Sequence, residues 1–154
     1  MTTQPITSPG KTFPDIAFSD QITAIEALAA RGIIDGKPDG NFDPDGSMTR
    51  AEFAAIVARA LGLTSADTGA FVDVASTAWY VSYVGAASTY GLINGVGERR
   101  FNPDGTITRQ EAAVMVSRAA ELCGLETGMD TAAVRNMLAQ FPDYMTSAEW
   151  ARVQ

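Results

Sequence analysis

Histidine does not occur among the 154 residues of this chain, and cysteine occurs only once. Histidine is the commonest general base and the commonest metal-ligating side chain, so Ser-His-Asp and Cys-His catalytic sites are excluded. A single Cys123 excludes internal disulfides and cysteine-rich zinc sites. We therefore expect no catalytic residues, no metal ligands and no cofactor, and we predict that the chain is not an enzyme.

Positive charge is also scarce, because lysine occurs only as Lys11 and Lys37 and the net charge is -7. Nucleic acids and anionic membranes attract proteins that carry a positive field, so neither is expected as a partner. No apolar run is long enough to span a membrane, and residues 1–12 contain no hydrophobic signal core. We predict a flexible lead-in at 1–12; if the protein is exported, its signal sequence lies outside this sequence.

The strongest positive signal is an internal repeat. Segments 31–59 and 90–118 align without a gap, and 13 of the 29 positions are identical. Upstream of each segment stands a Phe-x-Asp element, and a third such element follows near the end of the chain: Phe13-Pro14-Asp15, Phe71-Val72-Asp73 and Phe141-Pro142-Asp143. We therefore predict a first repeat at 13–63, a second at 71–125, a linker with a short helix at 126–140 and the start of a truncated third repeat at 141–154.

Each complete copy has the pattern of a helix, a loop and a second helix. In the first copy the loop at 35–47 contains Pro-Asp-Gly twice, which is a turn signature, and Phe42 is predicted to anchor this loop in the core. The second helix is expected to begin at Thr49 and to end at Gly62. The positions predicted to face the core are Ile22, Ile25 and Leu28 in the first helix and Phe53, Ile56, Val57, Ala60 and Leu61 in the second. The fold is predicted to be all-α, with a core shared between repeats.

The second helix of each copy opens with Thr-Arg-x-Glu. A threonine followed three positions later by glutamate predicts a capping box, so Thr49, Glu52, Thr108 and Glu111 are interpreted as structural caps. The arginine is not explained in this way, because the positive end of the helix dipole disfavours a cation. Two interpretations remain open. In the first, Arg50 and Arg109 bind an anion at the helix N-terminus and contribute little to the stability of the fold. In the second, they form salt bridges with a nearby aspartate.

Taken together, these motifs resemble the S-layer homology domain. The shared elements are Phe-x-Asp, a tryptophan such as Trp79 or Trp150, Gly-Ile-Ile-x-Gly, Phe-x-Pro-Asp-Gly and Thr-Arg-x-Glu, and they extend over nearly the whole chain beyond Thr12. The first repeat departs from the pattern, with Asp20 near the position of the tryptophan. Such domains usually occur in threes around a pseudo-threefold axis, so the resemblance implies a pseudo-threefold bundle whose third repeat is incomplete here.

The resemblance also implies a function. Grooves between such repeats bind secondary cell-wall polysaccharide, often through a pyruvylated amino sugar, and thereby anchor surface proteins non-covalently to the bacterial cell wall. This implies an extracellular location at the cell wall or S-layer. By resemblance, the glycan contacts are Arg50, Arg109, Gly36, Gly95, Asp35, Asn94 and Trp79. For Trp79, stacking on a sugar and burial in the core are both open.

Two other functions compete with glycan binding. One is structural self-assembly, because an incomplete third repeat leaves an interface through which another copy of the chain could associate. The other is calcium binding, suggested by the alternation of Asp39, Asn41, Asp43 and Asp45. That alternation does not satisfy the EF-hand pattern, since proline replaces the required glycine and arginine replaces the final glutamate.

Overall fold

The computed structural model describes residues 4–65 and 69–125, together with Gln140 and Thr146. Across this part of the chain the regular secondary structure is four helices without a β-sheet: α1 (Ile22–Ala29), α2 (Arg50–Leu61), α3 (Val81–Thr89) and α4 (Arg109–Leu122). The all-α prediction is confirmed. None of these described helices has the length and apolar character needed to cross a membrane. The predicted linker helix and the third repeat, with Trp150, lie outside the described residues.

The capping boxes that the sequence predicts are present at both long helices. At α2 the Thr49 hydroxyl accepts a hydrogen bond from the Glu52 N–H, and a carboxylate oxygen of Glu52 accepts from the Thr49 N–H at 2.7 Å. Thr108 and Glu111 make the same reciprocal pair at α4. Helix α2 ends at Gly62, whose φ of 65° is a left-handed conformation that glycine adopts without a steric penalty.

The most deeply buried residues of α2 are small, and the sequence pattern had not indicated them. The positions that are almost inaccessible to solvent are Ala51, Ala54, Ala55 and Ala58. They pack toward α3, which buries its own small residues, Gly85, Ala86 and Ala87. Small side chains on both helices allow the backbones to approach closely.

Two predicted core positions of these helices, Ala60 and Leu28, are wrong, and Ala60 is exposed. Phe53 and Leu61 are half-buried and pack against the shared core, and Ile56 packs in the same way against the core of the first repeat. In α1, Leu28 remains 40% exposed, and Ile25 and Ala29 are the buried residues. The physical reason is that Ala51, Ala54, Ala55 and Ala58 take the most buried positions of α2.

The core has two parts. One is confined to the first repeat and is formed by Phe13, Ile16, Ile25, Ala29, Ile33 and Ile34. The other joins the repeats, because Ala54 and Val57 of α2 pack with Val84, Leu92 and Phe101 of the second repeat. The repeats share a core, as expected for units that bury too little surface on their own.

The Phe-x-Asp element of each repeat holds the loop of the same repeat in place. The Asp15 carboxylate accepts hydrogen bonds from the backbone N–H groups of Phe42 and Asp43 at 2.9 and 2.6 Å. Asp73 does the same for the second loop, accepting from the N–H groups of Phe101 and Asn102, each at 2.8 Å. The phenylalanines also pair, with ring centroids 5.5 Å apart in the first repeat and 5.4 Å in the second.

Candidate functional site

The loop of the second repeat docks on the start of α2. Its carbonyl groups at Gly105 and Pro103 accept hydrogen bonds from the N–H groups of Arg50 and Ala51, at 2.9 and 3.0 Å. The next two N–H groups of the helix are bonded to Thr49, one through its side chain and one through its carbonyl. All four N–H groups of the first turn of α2 are therefore satisfied within the protein. These backbone N–H groups are therefore not available to an anion, and this corrects the part of the anion interpretation that relied on them.

The Arg50 side chain is enclosed in the same contact and is only 4% exposed. Its Nε donates to the Phe101 carbonyl at 2.8 Å, its guanidinium lies 4.9 Å from the centroid of that phenylalanine ring, and it forms an ion pair with Glu111. The salt-bridge interpretation therefore describes Arg50, with a glutamate of the next repeat as the partner. This corrects the expectation that the arginine contributes little to the stability of the fold.

Arg109 occupies the equivalent position of the second repeat but has a different environment. Its side chain is exposed. Neither a hydrogen bond nor an ion pair joins it to the residues described at 4–65 and 69–125. Arg50 and Arg109 occupy the same motif but differ in structure, because within residues 4–65 and 69–125 the loop of another repeat covers α2 and not α4.

Two grooves lie at corresponding places in the two repeats. The second-repeat groove, of about 380 Å³, is lined by residues 94–96 together with Arg50, Glu111, Val114, Met115 and Arg118. The first-repeat groove, of about 590 Å³, is lined by residues 34–38, 42–44 and 46–48 together with Glu52, Ile56, Arg59 and Trp79. The repeat offset relates Asp35 to Asn94, Gly36 to Gly95, Glu52 to Glu111 and Arg59 to Arg118. The two grooves are thus copies of one site.

Comparison with known proteins agrees with this repeated architecture. The S-layer homology domain family matches the chain at residues 12–54 and 70–113, which together make up more than half of it. The chain belongs to the S-layer homology domain family.

The curated relatives contain this S-layer homology segment as a small part of much longer proteins. The chain is 34% identical over 129 residues to the surface-layer 125 kDa protein of Lysinibacillus sphaericus, covering 84% of the chain and 10% of that protein. It is 34% identical over 121 residues to S-layer protein EA1 of Bacillus anthracis, covering 77% and 14%. It is also 34% identical over 143 residues to an amylopullulanase of Thermoanaerobacterium thermosulfurigenes, covering 92% and 7%.

The S-layer homology repeats bring most of the predicted glycan contacts into the two grooves. Asp35, Gly36 and Trp79 line the first-repeat groove. Arg50, Asn94 and Gly95 line the second-repeat groove. Arg109 lines neither of them. The predicted set is therefore divided between two sites rather than gathered in one.

Charged residues in the first-repeat groove are arranged as close pairs. Lys37 Nζ lies 2.8 Å from a carboxylate oxygen of Glu52, and Arg59 lies 3.0 Å from Asp35. Lys11 also pairs with Asp35, at 3.0 Å. Partial burial of Glu52 opposes its ionisation, but the hydrogen bonds from Lys37 and Thr49 outweigh burial and lower the pKa of its carboxyl group. The groove thus places two cations beside carboxylates, and the pKa of one of these, Glu52, is lowered.

Arg59 and Arg118 were not recognised from the sequence as groove residues. The signal was present, because they are the last identical pair of the aligned segments. The Arg59 guanidinium lies over the Tyr83 ring, 4.6 Å from its centroid, and over the Trp79 ring, 6.0 Å from its centroid, so it contacts two aromatic side chains of the second repeat. This fixes a guanidinium at the wall of the first-repeat groove.

Trp79 lies at the edge of the first-repeat groove and is 57% exposed. Its ring meets the Tyr80 ring edge-on, with centroids 5.4 Å apart. The core interpretation of this tryptophan is therefore wrong. A large part of its surface remains open to a ligand.

The glycines that end the Gly-x-x-x-Gly elements are required by packing inside each repeat. At Gly36, whose φ is 83°, an added Cβ would overlap the Phe13 ring and lie 2.8 Å from the Asn41 carbonyl oxygen. At Gly95 the added atom would overlap the Arg100 carbonyl and lie 3.0 Å from the Phe71 ring. Both glycines line their grooves, so a side chain there would disturb the loop as well as the groove.

The acidic loop that suggested calcium has a structural use. The Asp39 carboxylate accepts hydrogen bonds from the backbone and the side-chain amide of Asn41, at 3.0 and 3.2 Å. This is the local bonding by which aspartate stabilises a turn. Within the described residues, no group of three or more Asp, Glu or Cys side chains is placed to hold a metal ion.

Proposed function

We propose that this chain is a non-catalytic module that attaches a larger protein to the bacterial cell surface. In this proposal the chain lies outside the cell and binds an anionic polysaccharide of the cell wall non-covalently. The group that it recognises is a carboxylate of the glycan, such as that of a pyruvate ketal. The observation that carries the proposal is the first-repeat groove, where Arg59, Lys37 and the exposed Trp79 line one cavity.

The arginine of this groove can exchange its partner for a ligand. Asp35, which pairs with Arg59, is 55% exposed at its side chain. Exposed ion pairs contribute only about 0–1 kcal/mol, so a ligand carboxylate can replace Asp35 at the guanidinium at little cost. A guanidinium fork binds a carboxylate through two parallel hydrogen bonds. The displaced Asp35 can then accept hydrogen bonds from sugar hydroxyls, in agreement with the role that the resemblance implies for it.

The tryptophan adds a flat apolar surface beside the charges. Trp79 belongs to the second repeat but lies at the edge of the groove of the first. A pyranose ring presents C–H groups on one face and hydroxyls around its edge, so it can stack on an exposed indole while its polar groups reach the charged residues. The combination suits an acidic sugar better than a neutral apolar ligand.

The second-repeat groove is proposed as a second subsite in which Asn94 and Gly95 contact the glycan. Arg50 is already bonded to the Phe101 carbonyl and to Glu111. Its role in that groove is therefore to hold the walls together, and any contact with the ligand is made by the edge of its guanidinium. Direct glycan contacts by Arg50 and Arg109 stay predictions.

The relatives support attachment rather than catalysis. The chain spans only 7–14% of the length of the relatives described above. Those relatives are named as surface-layer proteins in two cases and as an amylopullulanase in the other. A short segment shared by proteins of such different kinds is better explained by a common attachment function than by a common reaction.

Co-sedimentation with purified cell walls tests the proposal. The protein is mixed with intact walls and with walls whose polysaccharide has been extracted, using the wild type, Trp79→Ala, Arg59→Ala and the control Arg31→Ala. Arg31 bonds within its own helix region and lies outside both grooves, so its variant removes one charge without altering the site.

We expect wild type and Arg31→Ala to sediment with intact walls only, and the two groove variants to remain in solution. Circular dichroism confirms that each variant is folded. Equal binding of the wild type to extracted walls, or undiminished binding of both groove variants, contradicts the proposal and favours self-assembly without glycan contact.

A further inference from the structure

The contact between the two repeats joins a loop of one repeat to a helix start of the other. Each repeat contains both elements but uses only one of them in this contact. The second repeat contributes its loop, whose Phe101 is fully buried beneath Arg50. The first repeat contributes the start of α2. The loop of the first repeat, with a half-buried Phe42, and the start of α4, with an exposed Arg109, are the corresponding surfaces that are not joined to each other.

The free loop and the docked loop have nearly the same sequence. Residues 42–46 read Phe-Asp-Pro-Asp-Gly and residues 101–105 read Phe-Asn-Pro-Asp-Gly. The free loop has the carbonyl groups that the docked loop uses, at the phenylalanine, the proline and the glycine. It is also held in the same way by the Phe-x-Asp element of its repeat. The loop at 42–46 therefore offers the backbone acceptors that the contact uses.

We propose that the start of α4 in one copy of this chain docks on the loop at 42–46 of a second copy. Arg109 of the first copy then enters the first-repeat groove of the second, as Arg50 enters the second-repeat groove within one chain. The repeat offset predicts its bonds: the Arg109 guanidinium donates to the Phe42 carbonyl and pairs with Glu52. The Arg109 N–H donates to the Gly46 carbonyl, as that of Arg50 does to Gly105.

The charges at the two surfaces favour this occupant. Glu52 lies in the first-repeat groove and is ionised, since its pKa is lowered even though partial burial opposes this. In the free chain it pairs with Lys37, which is the counterpart of Val96 in the second repeat. An incoming Arg109 forms with Glu52 the ion pair that Arg50 forms with Glu111. A second copy supplies both the cation and the helix start, so no other species is required.

The proposed contact is heterologous, because different surfaces of the two copies meet. Such a contact leaves one free surface on each end of the dimer, so it continues into longer chains or closes into a ring. It also adds a residue to the glycan groove, which then carries Arg109 of the neighbouring copy. The inference concerns association of the protein alone and does not depend on whether the groove binds a glycan.

Complementation between two variants tests the heterologous contact. Arg109→Ala removes the inserted side chain and leaves the receiving loop intact. Ser47→Arg places bulk and like charge at the receiving loop and leaves Arg109 intact. Both positions are exposed, so both variants should fold. Sedimentation equilibrium measures each variant alone, their equimolar mixture, the wild type and the control Arg100→Ala, whose arginine is exposed and lies outside both grooves.

We expect wild type and Arg100→Ala to form species larger than dimers as concentration rises. Each contact variant alone should associate more weakly than the wild type by about tenfold or more. Their mixture should form a heterodimer that grows no further. A wild type with a Kd weaker than about 1 mM, a variant that associates as the wild type does, or a mixture without heterodimer overturns the proposal.

Disulfide trapping provides an independent readout. Within one chain, Thr49 and Thr106 form an isolated antiparallel β-bridge. The equivalent pair between copies is Thr108 and Ser47. In a Cys123→Ser background, mixed Thr108→Cys and Ser47→Cys proteins should form the mixed disulfide in preference to either homodimer. The double variant Thr49→Cys/Thr106→Cys should close within one chain and serves as the positive control. Random pairing of the two single-cysteine proteins argues against the contact.

Discussion

Glu111 of the second repeat caps its own helix and pairs with Arg50 of the first. One carboxylate oxygen accepts the Thr108 N–H at 2.8 Å, and the other meets the Arg50 guanidinium. The arginine is the first residue of α2, where the helix dipole disfavours a cation. Its charge is offset by the carboxylate of the neighbouring capping box, so the Thr-Arg-x-Glu motif both starts a helix and joins consecutive repeats.

Replacing the two motif arginines should have different effects on stability. Arg50→Ala leaves Glu111 partly buried without its partner and removes the bond to the Phe101 carbonyl, so we expect a loss of about 3 kcal/mol in the free energy of unfolding. Arg109→Ala changes an exposed side chain and should alter stability by less than about 0.5 kcal/mol. Urea denaturation of both variants, at a concentration where the protein is monomeric, measures the difference. Equal losses would show that the two sites are equivalent.

Replacing Gly36 with alanine should destabilise the first repeat through a clash. The new Cβ would meet the Phe13 ring and the Asn41 carbonyl, so we expect a loss of about 1–3 kcal/mol beyond the cost of the backbone conformation. Gly40 is the matched control, because its φ of 88° is similar and an added Cβ there has nothing within 4 Å. The difference in melting temperature between the two alanine variants isolates the clash. Indistinguishable variants would mean that Gly36 is required only by its backbone angle.

Stability should fall as the pH is lowered into the range where carboxylates protonate. Partial burial of Glu111 opposes ionisation, but hydrogen bonds from Thr108 and the charge of Arg50 outweigh burial and lower its pKa from 4.5. A group with a lowered pKa in the folded state stabilises the protein above its unfolded pKa, and this contribution is lost as the pH falls through the folded value. The pKa of Asp73 is likewise lowered from 3.8, against partial burial, by the loop N–H groups that it accepts.

We therefore expect the free energy of unfolding to decrease steadily below about pH 4.5. Glu111→Gln and Asp73→Asn should each start less stable at neutral pH and show a shallower decrease. Urea denaturation between neutral and acidic pH measures these slopes. A wild-type protein that gains stability on acidification over this range would contradict the assignment of these carboxylates.

Local features of the fold were predictable from the sequence because they depend on residues close together in the chain. The spacing of Thr49 and Glu52 specifies a capping box, and Gly62 specifies the end of α2. The alignment of the two copies then predicts a shared core. These properties follow from helix geometry and from backbone hydrogen bonding, which a short segment determines by itself.

Features that depend on how the repeats pack could not be predicted in the same way. The partner of Arg50 lies 61 residues away in sequence, and no local pattern identifies it. Trp79 of the second repeat lines the groove of the first, which follows only from the docking of the two repeats. The alanine face of α2 was missed because hydrophobicity patterns give weight to large residues, whereas close helix contact selects small ones.

We propose that the Arg59 guanidinium in the first-repeat groove recognises a carboxylate of the cell-wall polysaccharide. Calorimetric titration of wild type and Arg59→Ala with purified polysaccharide, before and after removal of its pyruvate ketals by mild acid, tests this most directly. We predict that ketal removal weakens wild-type binding by about thirty-fold, as expected for loss of a charge-assisted contact, and has no further effect on Arg59→Ala. Equal wild-type affinity for the two polysaccharides, or a full ketal effect in Arg59→Ala, would contradict the account.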